Sequence, residues 1–142
     1  MESNVTIISI IAVAAALAIG SLVYVASRRS AQQAHNREIV RVLRRVSREA
    51  GQRGIQATAA DNAEAKAAIE ELRAVKSRCP SGVVADVERI DALWTEMSTQ
   101  LIAFTEQPPK STLQSSLVTT RAMKMAEEIR IIAERVQHKL DA

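Results

Sequence analysis

The chain has 142 residues, with 19 Lys and Arg against 16 Asp and Glu, and a formal net charge of +3. Its single cysteine excludes an internal disulfide framework. One Trp, one Tyr and one Phe, together with four Gly and three Pro, favour helices over sheet. A chain of this length has room for a single small domain.

The first element is a run of 22 residues without a charge, Val5 to Ala26. As an α-helix it is about 33 Å long, enough to cross a hydrocarbon core of roughly 30 Å. A secretory signal peptide has a basic start and small residues before its cleavage site. Here the only charged residue before the run is the acidic Glu2, and the bulky Tyr24 stands near the end of the run. We therefore predict a transmembrane helix over 5–26, preceded by an outer tail at 1–4.

The charges on the two sides of this run predict its orientation. Residues 27–53 hold eight arginines against Glu38 and Glu49, whereas Glu2 is the only charge on the N-terminal side. Basic residues close to a span stay on the cytoplasmic side. We expect the N-terminus outside and the C-terminal domain in the cytoplasm, which agrees with an unpaired Cys79 in a reducing compartment.

Small residues form a stripe along the predicted span, at spacings of three and four: Ser9, Ala12, Ala16 and Gly20. Such a stripe lets two membrane helices approach closely, and it predicts self-association of the span. The alternative is that alanine is simply common in membrane helices.

Residues 27–53 form a basic juxtamembrane segment with the pattern of an amphipathic helix. Its apolar side contains Ile39, Val42, Leu43, Val46 and Ala50. The opposite side is a basic face made of Arg37, Arg41, Arg44, Arg45 and Arg48. We favour a bundle helix with its apolar side packed and its basic face in solvent. Docking on anionic lipid is an alternative, and so is binding nucleic acid, although stacking aromatics are lacking.

Three breaks rich in Gly or Pro divide the rest of the chain at 51–54, 79–82 and 108–109. They predict that the basic helix ends at the first break and that further helices cover about 55–78, 81–106 and 112–140. Predicted N-terminal caps are an Asp61 and Glu64 box, Ser81, and a Ser111 and Gln114 box.

The last two predicted helices carry heptad seams of apolar residues, the pattern of helices that pack on partner helices. The first seam includes Val87, Ile90, Trp94, Met97, Leu101 and Phe104. The second includes Met125, Ile129, Ile132 and Val136, with Leu113 and Leu117 at its start. Met123 and Ile131 lie beside the second seam, where they could receive a partner. The predicted fold is all-α: a transmembrane helix followed by an antiparallel bundle of three to four helices with coiled-coil-like seams.

Catalytic and metal-binding patterns are lacking. His35 and His138 stand alone, without nearby cysteines or paired acids. The neighbouring pairs Glu70–Glu71 and Glu127–Glu128 diverge on a helix. No nucleophile elbow or phosphate-binding glycine loop occurs. We expect no enzymatic activity, no metal and no cofactor.

The plan of a short outer tail, one span and a long helical part resembles the b subunit of rotary ATP synthases. The three breaks differ from the uninterrupted stalk of that family. The plan also resembles, in outline, a phage inner-membrane spanin, which works in the periplasm and implies the opposite orientation. Both resemblances concern architecture alone.

These observations favour a single-pass membrane-anchored scaffold or tether that acts by protein–protein interaction or self-association. Two alternatives remain open at this point. One is a structural component of a larger membrane assembly, such as a virion or a secretion machine. The other is a sensor of anionic lipid or nucleic acid that works through the basic face.

Overall fold

The computed structural model describes residues 2–56, 63–108 and 110–142. These residues form four helices: α1 (Glu2–Gln56), α2 (Ala63–Lys76), α3 (Ser81–Glu106) and α4 (Thr112–Asp141). No strand occurs in these three ranges. The all-α prediction is confirmed, and the chain divides into two compact units, Met1–Asn36 and Arg37–Ala142.

The first unit is the N-terminal part of α1. Large apolar side chains from Ile7 to Val25 are 46–70% exposed, which places an uninterrupted apolar surface around the helix. The helix is long and apolar enough to cross a membrane. In water so large an apolar surface would be strongly unfavourable, at roughly 25 cal/mol for each Å².

The second unit is a bundle in which the C-terminal part of α1 packs with α2, α3 and α4. Its core contains the apolar sides predicted for each helix. The buried residues are Ile39, Val42, Leu43, Val46 and Ala50 of α1; Ala65, Ala68, Ile69, Leu72 and Val75 of α2; Val83, Val87, Ile90, Leu93, Trp94, Met97 and Leu101 of α3; and Ala122, Met125, Ala126, Ile129, Ile132, Ala133 and Val136 of α4.

Polar contacts between helices give the direction of each one. Arg73 of α2 contacts Asp91 at 2.9 Å, and Lys76 contacts Glu88 at 3.6 Å, so α2 and α3 run antiparallel. Helices α3 and α4 are also antiparallel, because the residue numbers of their contacts increase along one helix and decrease along the other. The contacts there are Arg89–Glu128 at 2.8 Å and Asp86–Lys139 at 2.7 Å.

The same argument places α1 in the bundle. Its Arg45 contacts Glu71 of α2 at 2.6 Å, and Glu38 contacts Arg78 at 3.5 Å, so these two helices are antiparallel. Arg44 donates to Gln137 of α4 at 3.3 Å. Residues 37–56 therefore supply the first of four bundle helices, consistent with the short connections of an up-and-down bundle.

The helix ends differ from the sequence predictions. Residues 55 and 56, expected in the second predicted helix, belong to α1, and the described α2 ends at Lys76 rather than at residue 78. Helix α1 passes through Gly51 and ends at Gln56, beyond the predicted break at 51–54. Among the described residues, a Cβ built on Gly51 would meet no atom within 4 Å, so no close approach to them requires a glycine at this position. The core contacts of Ala50 and Arg53 keep the chain helical, and packing outweighs the low helix propensity of glycine. The predicted box at Asp61 lies outside the described residues.

A further difference is at the start of α3, where the predicted N-cap Ser81 is wrong. Pro80 occupies the N-cap at φ −56° and ψ 144°, and Ser81 is the first helical residue. The proline ring fixes φ at this value, and the carbonyl of Pro80 accepts from Val83 N at 3.0 Å. At α4 the N-cap is confirmed, because Ser111 Oγ accepts from Gln114 N at 3.2 Å.

Candidate interaction surfaces

The basic face of α1 is divided by its neighbours in the bundle. Arg44 is bound by Gln137 of α4, and the half-buried Arg45 pairs with Glu71 of α2. Arg37, Arg41 and Arg48 are exposed between these two contacts. The solvent-facing part of the basic face is therefore a ridge of three arginines, one helical turn or two apart.

The end of α1 contributes a buried charged group that the sequence analysis did not single out. Arg53 Nη1 donates to Ser98 Oγ at 2.9 Å, and its guanidinium lies over the ring of Trp94. Burial lowers the pKa of Arg53 from its usual value. Glu49 is also buried, one turn earlier on the same helix. Arg53 follows Ala50 by three residues and Val46 by seven, so its place on the apolar side was readable in the helical period.

The small-residue stripe of the predicted span lies on the surface of the first unit. Ser9, Ala12, Ala16 and Gly20 are all exposed. A Cβ added at Gly20 would meet no described atom within 4 Å, so none of the described residues fills the space that the glycine leaves. Its use as a packing surface for a second helix stays a prediction.

One side of the α3–α4 hairpin carries a ladder of ion pairs between the two helices. Asp86 binds Lys139 at 2.7 Å and Arg135 at 3.4 Å, and Arg89 binds Glu128 through two nitrogens at 2.8 and 3.1 Å. Through these pairs Asp86 and Arg89, near the start of α3, are matched by charges of the opposite sign on α4. Surface pairs of this kind contribute little stability, about 0–1 kcal/mol each, but they fix the register of two helices.

The ladder ends towards the connection between α3 and α4, and a groove takes its place. The groove has a volume of about 500 Å³. Residues from both helices line it: Gln100, Ala103, Phe104, Gln107, Gln114, Leu117, Val118 and Arg121. Phe104, the last residue of the first predicted seam, is only half-buried and forms part of this lining.

Leucines that were expected at the start of the second seam are exposed beside the groove. Leu113 is 71% exposed and Leu117 is 54% exposed. Both lie at the N-terminal end of α4. Here α1 no longer covers the hairpin, because its Arg53, three residues from the end of the helix, already reaches Ser98. We call the groove and these two leucines the hairpin tip.

Charged side chains around the hairpin tip lack the pairing found along the ladder. Within the described ranges, no ion pair is made by Glu96, Glu106, Lys110, Arg121 or Lys124. The acidic members belong to α3. The basic members lie in the connection and in α4. The hairpin tip thus combines exposed apolar side chains with separated, unpaired charges of both signs.

Residue types that bind metals are spread out over the described part of the chain. His, Cys, Asp and Glu do not gather there in groups of three that could hold an ion. Glu127 and Glu134 contact the same guanidinium, that of Arg130, and its hydrogen bond lowers the pKa of Glu127. Burial raises the pKa of the Cys79 thiol, which makes it a poor nucleophile.

Comparisons with protein-family models, curated proteins and solved structures find no match to this chain. A proposal about its function therefore rests on the apolar first unit and on the surfaces of the bundle.

Proposed function

We propose that this protein is a single-pass, membrane-anchored tether that acts by protein–protein interaction. The first unit is its anchor, and the bundle binds a partner through the hairpin tip. The observation that carries the proposal is that each unit has an apolar surface left open by the rest of the described chain. On the first unit this surface surrounds the helix, and on the bundle it lies at Leu113, Leu117 and the groove.

The proposed orientation has the N-terminus outside and the bundle in the cytoplasm. It is supported by Arg28 and Arg29 directly after the apolar run, by the further arginines up to Arg53, and by Glu2 as the only charge before the run. Translocating so many arginines next to a span is disfavoured. The single cysteine, half-buried at Cys79, is compatible with this compartment.

Two measurements on the full chain test the anchor and its orientation. The protein should stay in the membrane pellet after washing with alkaline carbonate, which removes peripheral proteins. A cysteine placed at Ala142, in a Cys79→Ser background, should react with a membrane-impermeant maleimide only after the cells are opened. Release by carbonate would overturn the anchor, and labelling in intact cells would overturn the cytoplasmic orientation.

A second candidate function is supported by the arginine ridge of α1. Arg37, Arg41 and Arg48 are exposed together on the bundle, and a ridge of this kind could bind anionic lipid or nucleic acid. Such binding weakens steeply with salt, because it depends on charge. Binding to vesicles with 30 mol% phosphatidylserine that is lost in Arg37→Gln/Arg41→Gln/Arg48→Gln would favour this candidate. A partner bound through the hairpin tip should instead be insensitive to this triple change.

A further inference from the structure

We propose that the partner of the hairpin tip is a second copy of this chain, bound across a two-fold axis that runs along the helices. The inference rests on the proposed function and names its partner. In such a dimer α3 of each copy lies beside α4 of the other. The two tips then form a small four-helix arrangement, in which each groove receives the leucines of the second copy.

The register of the ion-pair ladder brings two further opposite charges to the same level. Arg89 of α3 pairs with Glu128 of α4. Seven residues, or two helical turns, after Arg89 comes Glu96, and seven residues before Glu128 comes Arg121. Because the helices are antiparallel, Glu96 and Arg121 are level with each other and lie on the same side of the hairpin as the ladder. They stand where the next ion pair of the ladder would form.

Glu96 and Arg121 do not form this ion pair, although their charges are opposite. Within the described residues Glu96 accepts only from the neighbouring Gln100, at 3.4 Å, and Arg121 lines the groove. The groove between the helices replaces the direct contact found at Arg89 and Glu128. Two opposite charges held level, unpaired and beside an apolar groove are the arrangement expected at an interface that is completed by another molecule.

The charged surface around the hairpin tip is complementary to itself. A two-fold interface brings the same patch of both copies together, so a charge on one edge must meet its opposite on the other edge. At and beside the hairpin tip, α3 supplies Glu96 and α4 supplies Arg121 and Lys124, and all three are exposed. A rotation about an axis parallel to the helices keeps every height unchanged. It therefore places Glu96 of one copy level with Arg121 of the other, twice in each dimer.

The apolar groups agree with the same operation. Leu117 stands on the α4 edge of the groove, and Ala103 and Phe104 stand on the α3 edge. Pairing α3 with α4 of the second copy places each exposed leucine against the apolar α3 edge opposite. Confinement to a membrane raises the effective concentration of the two copies for this contact.

The first test measures the mass of the full-length protein in detergent, with the detergent contribution subtracted. The wild type should have the mass of two chains. Leu117→Arg should raise the dimer dissociation constant at least about tenfold, since every dimer loses two buried leucines and gains two buried charges. The matched control is Met123→Arg, because Met123 is 50% exposed on the other flank of the same helix. It should leave the mass unchanged.

The second test exchanges the charges. Glu96→Lys alone should weaken the dimer, because each Lys would face Arg121 of the second copy. Arg121→Glu combined with Lys124→Glu should weaken it as well, because acids would then face Glu96. A mixture of the two variants, carrying different affinity tags, should form a heterodimer with near wild-type affinity. At both places where position 96 of one copy faces position 121 of the other, the charges are again opposite. Circular dichroism of each variant checks that the helices are intact.

The outcomes separate this inference from the function on which it rests. A wild type that is monomeric across micromolar concentrations, a dimer dissociation constant that Leu117→Arg leaves unchanged, or charge-exchanged variants that fail to pair would each overturn the two-fold contact. If a different protein co-purifies and is lost in Leu117→Arg, the second copy is wrong but the tether stands. If neither a second copy nor a different protein binds, the proposed tether function is wrong as well.

Discussion

The guanidinium of Arg53 lies over the ring of Trp94, 5.1 Å from the ring centroid, and both side chains are buried. This contact joins the end of α1 to the middle of α3. A cation over an indole ring is attracted by the negative face of the ring, the more so where water is excluded. The pair therefore holds the end of α1 against the middle of α3, before the α3 residues that line the groove.

Replacing Trp94 with Ala should lower the free energy of unfolding of the bundle by about 3–5 kcal/mol, because it leaves a cavity between four helices and removes the ring beneath Arg53. Chemical unfolding of the full chain in detergent, followed by circular dichroism at 222 nm, measures the change. Ile131→Ala is the control: Ile131 is largely exposed, and its loss should cost about 0.5 kcal/mol or less. A Trp94→Ala protein whose free energy of unfolding stays within about 0.5 kcal/mol of the wild type would contradict the core assignment.

Buried Glu49 and Arg53 stand one helical turn apart on α1 and should stabilise each other. Arg53→Met alone would leave the buried Glu49 carboxylate with Arg48, at 3.8 Å, as its ion-pair partner, whereas Glu49→Leu together with Arg53→Met removes both buried charges. We expect the double variant to be more stable than the sum of the single changes predicts, by about 0.5–3 kcal/mol. A double-mutant cycle from urea unfolding measures this coupling. Strict additivity would mean that the two charges act independently.

Much of the fold was predictable because the apolar period is regular. Ile39, Val42, Val46 and Ala50 follow the 3.6-residue period, and all four are buried as that period requires. The breaks at Pro80 and around Pro108 are local in origin, because proline cannot continue a helix, so they could be placed to within a residue or two.

What could not be predicted depends on where neighbouring helices end. Leu113 and Leu117 continue the apolar pattern of α4, and nothing in their own sequence separates them from Ile129 or Val136. They are exposed because α1 stops near the level of Ser98. Gly51 was misleading for a related reason, since packing of the residues on both sides of it keeps the helix intact. The hairpin tip therefore became visible only in three dimensions.

The ion-pair ladder should fix register without adding much stability. Arg89 and Glu128 are each about half exposed, and such pairs contribute about 0.2–1 kcal/mol. A cycle of Arg89→Ala and Glu128→Ala should give a coupling in this range at low salt and a smaller one in 1 M NaCl. As a reference, Arg37→Ala removes an exposed arginine that makes no ion pair within the described residues. A coupling of several kcal/mol would show that the pair is shielded from water.

The thiol of Cys79 should react slowly in the folded protein. Burial raises its pKa, and Sγ donates to the carbonyl of Val75 at 3.4 Å. At a pH below the raised pKa a smaller fraction is thiolate, which is the reactive form. Iodoacetamide at pH 8 should therefore modify the native chain more slowly than the chain in 8 M urea, and the gap should narrow as the pH rises. A cysteine at Ala142 in a Cys79→Ser chain should show little difference between the two conditions, and equal rates at Cys79 would refute its protection.

The stripe on the apolar first unit leads to the last prediction. A Cβ at Gly20 would meet no atom of the described residues within 4 Å, so Gly20→Ile is compatible with their fold. If two spans pack through Ser9, Ala12, Ala16 and Gly20, however, the larger side chain separates them and weakens their association. Energy transfer between labelled chains in vesicles measures this, with Leu117→Arg present in every sample to remove the contact at the hairpin tip. Leu22→Ile changes the opposite side of the helix and should leave the transfer unchanged, whereas Gly20→Ile should reduce it; equal transfer in both would exclude the stripe as a packing surface.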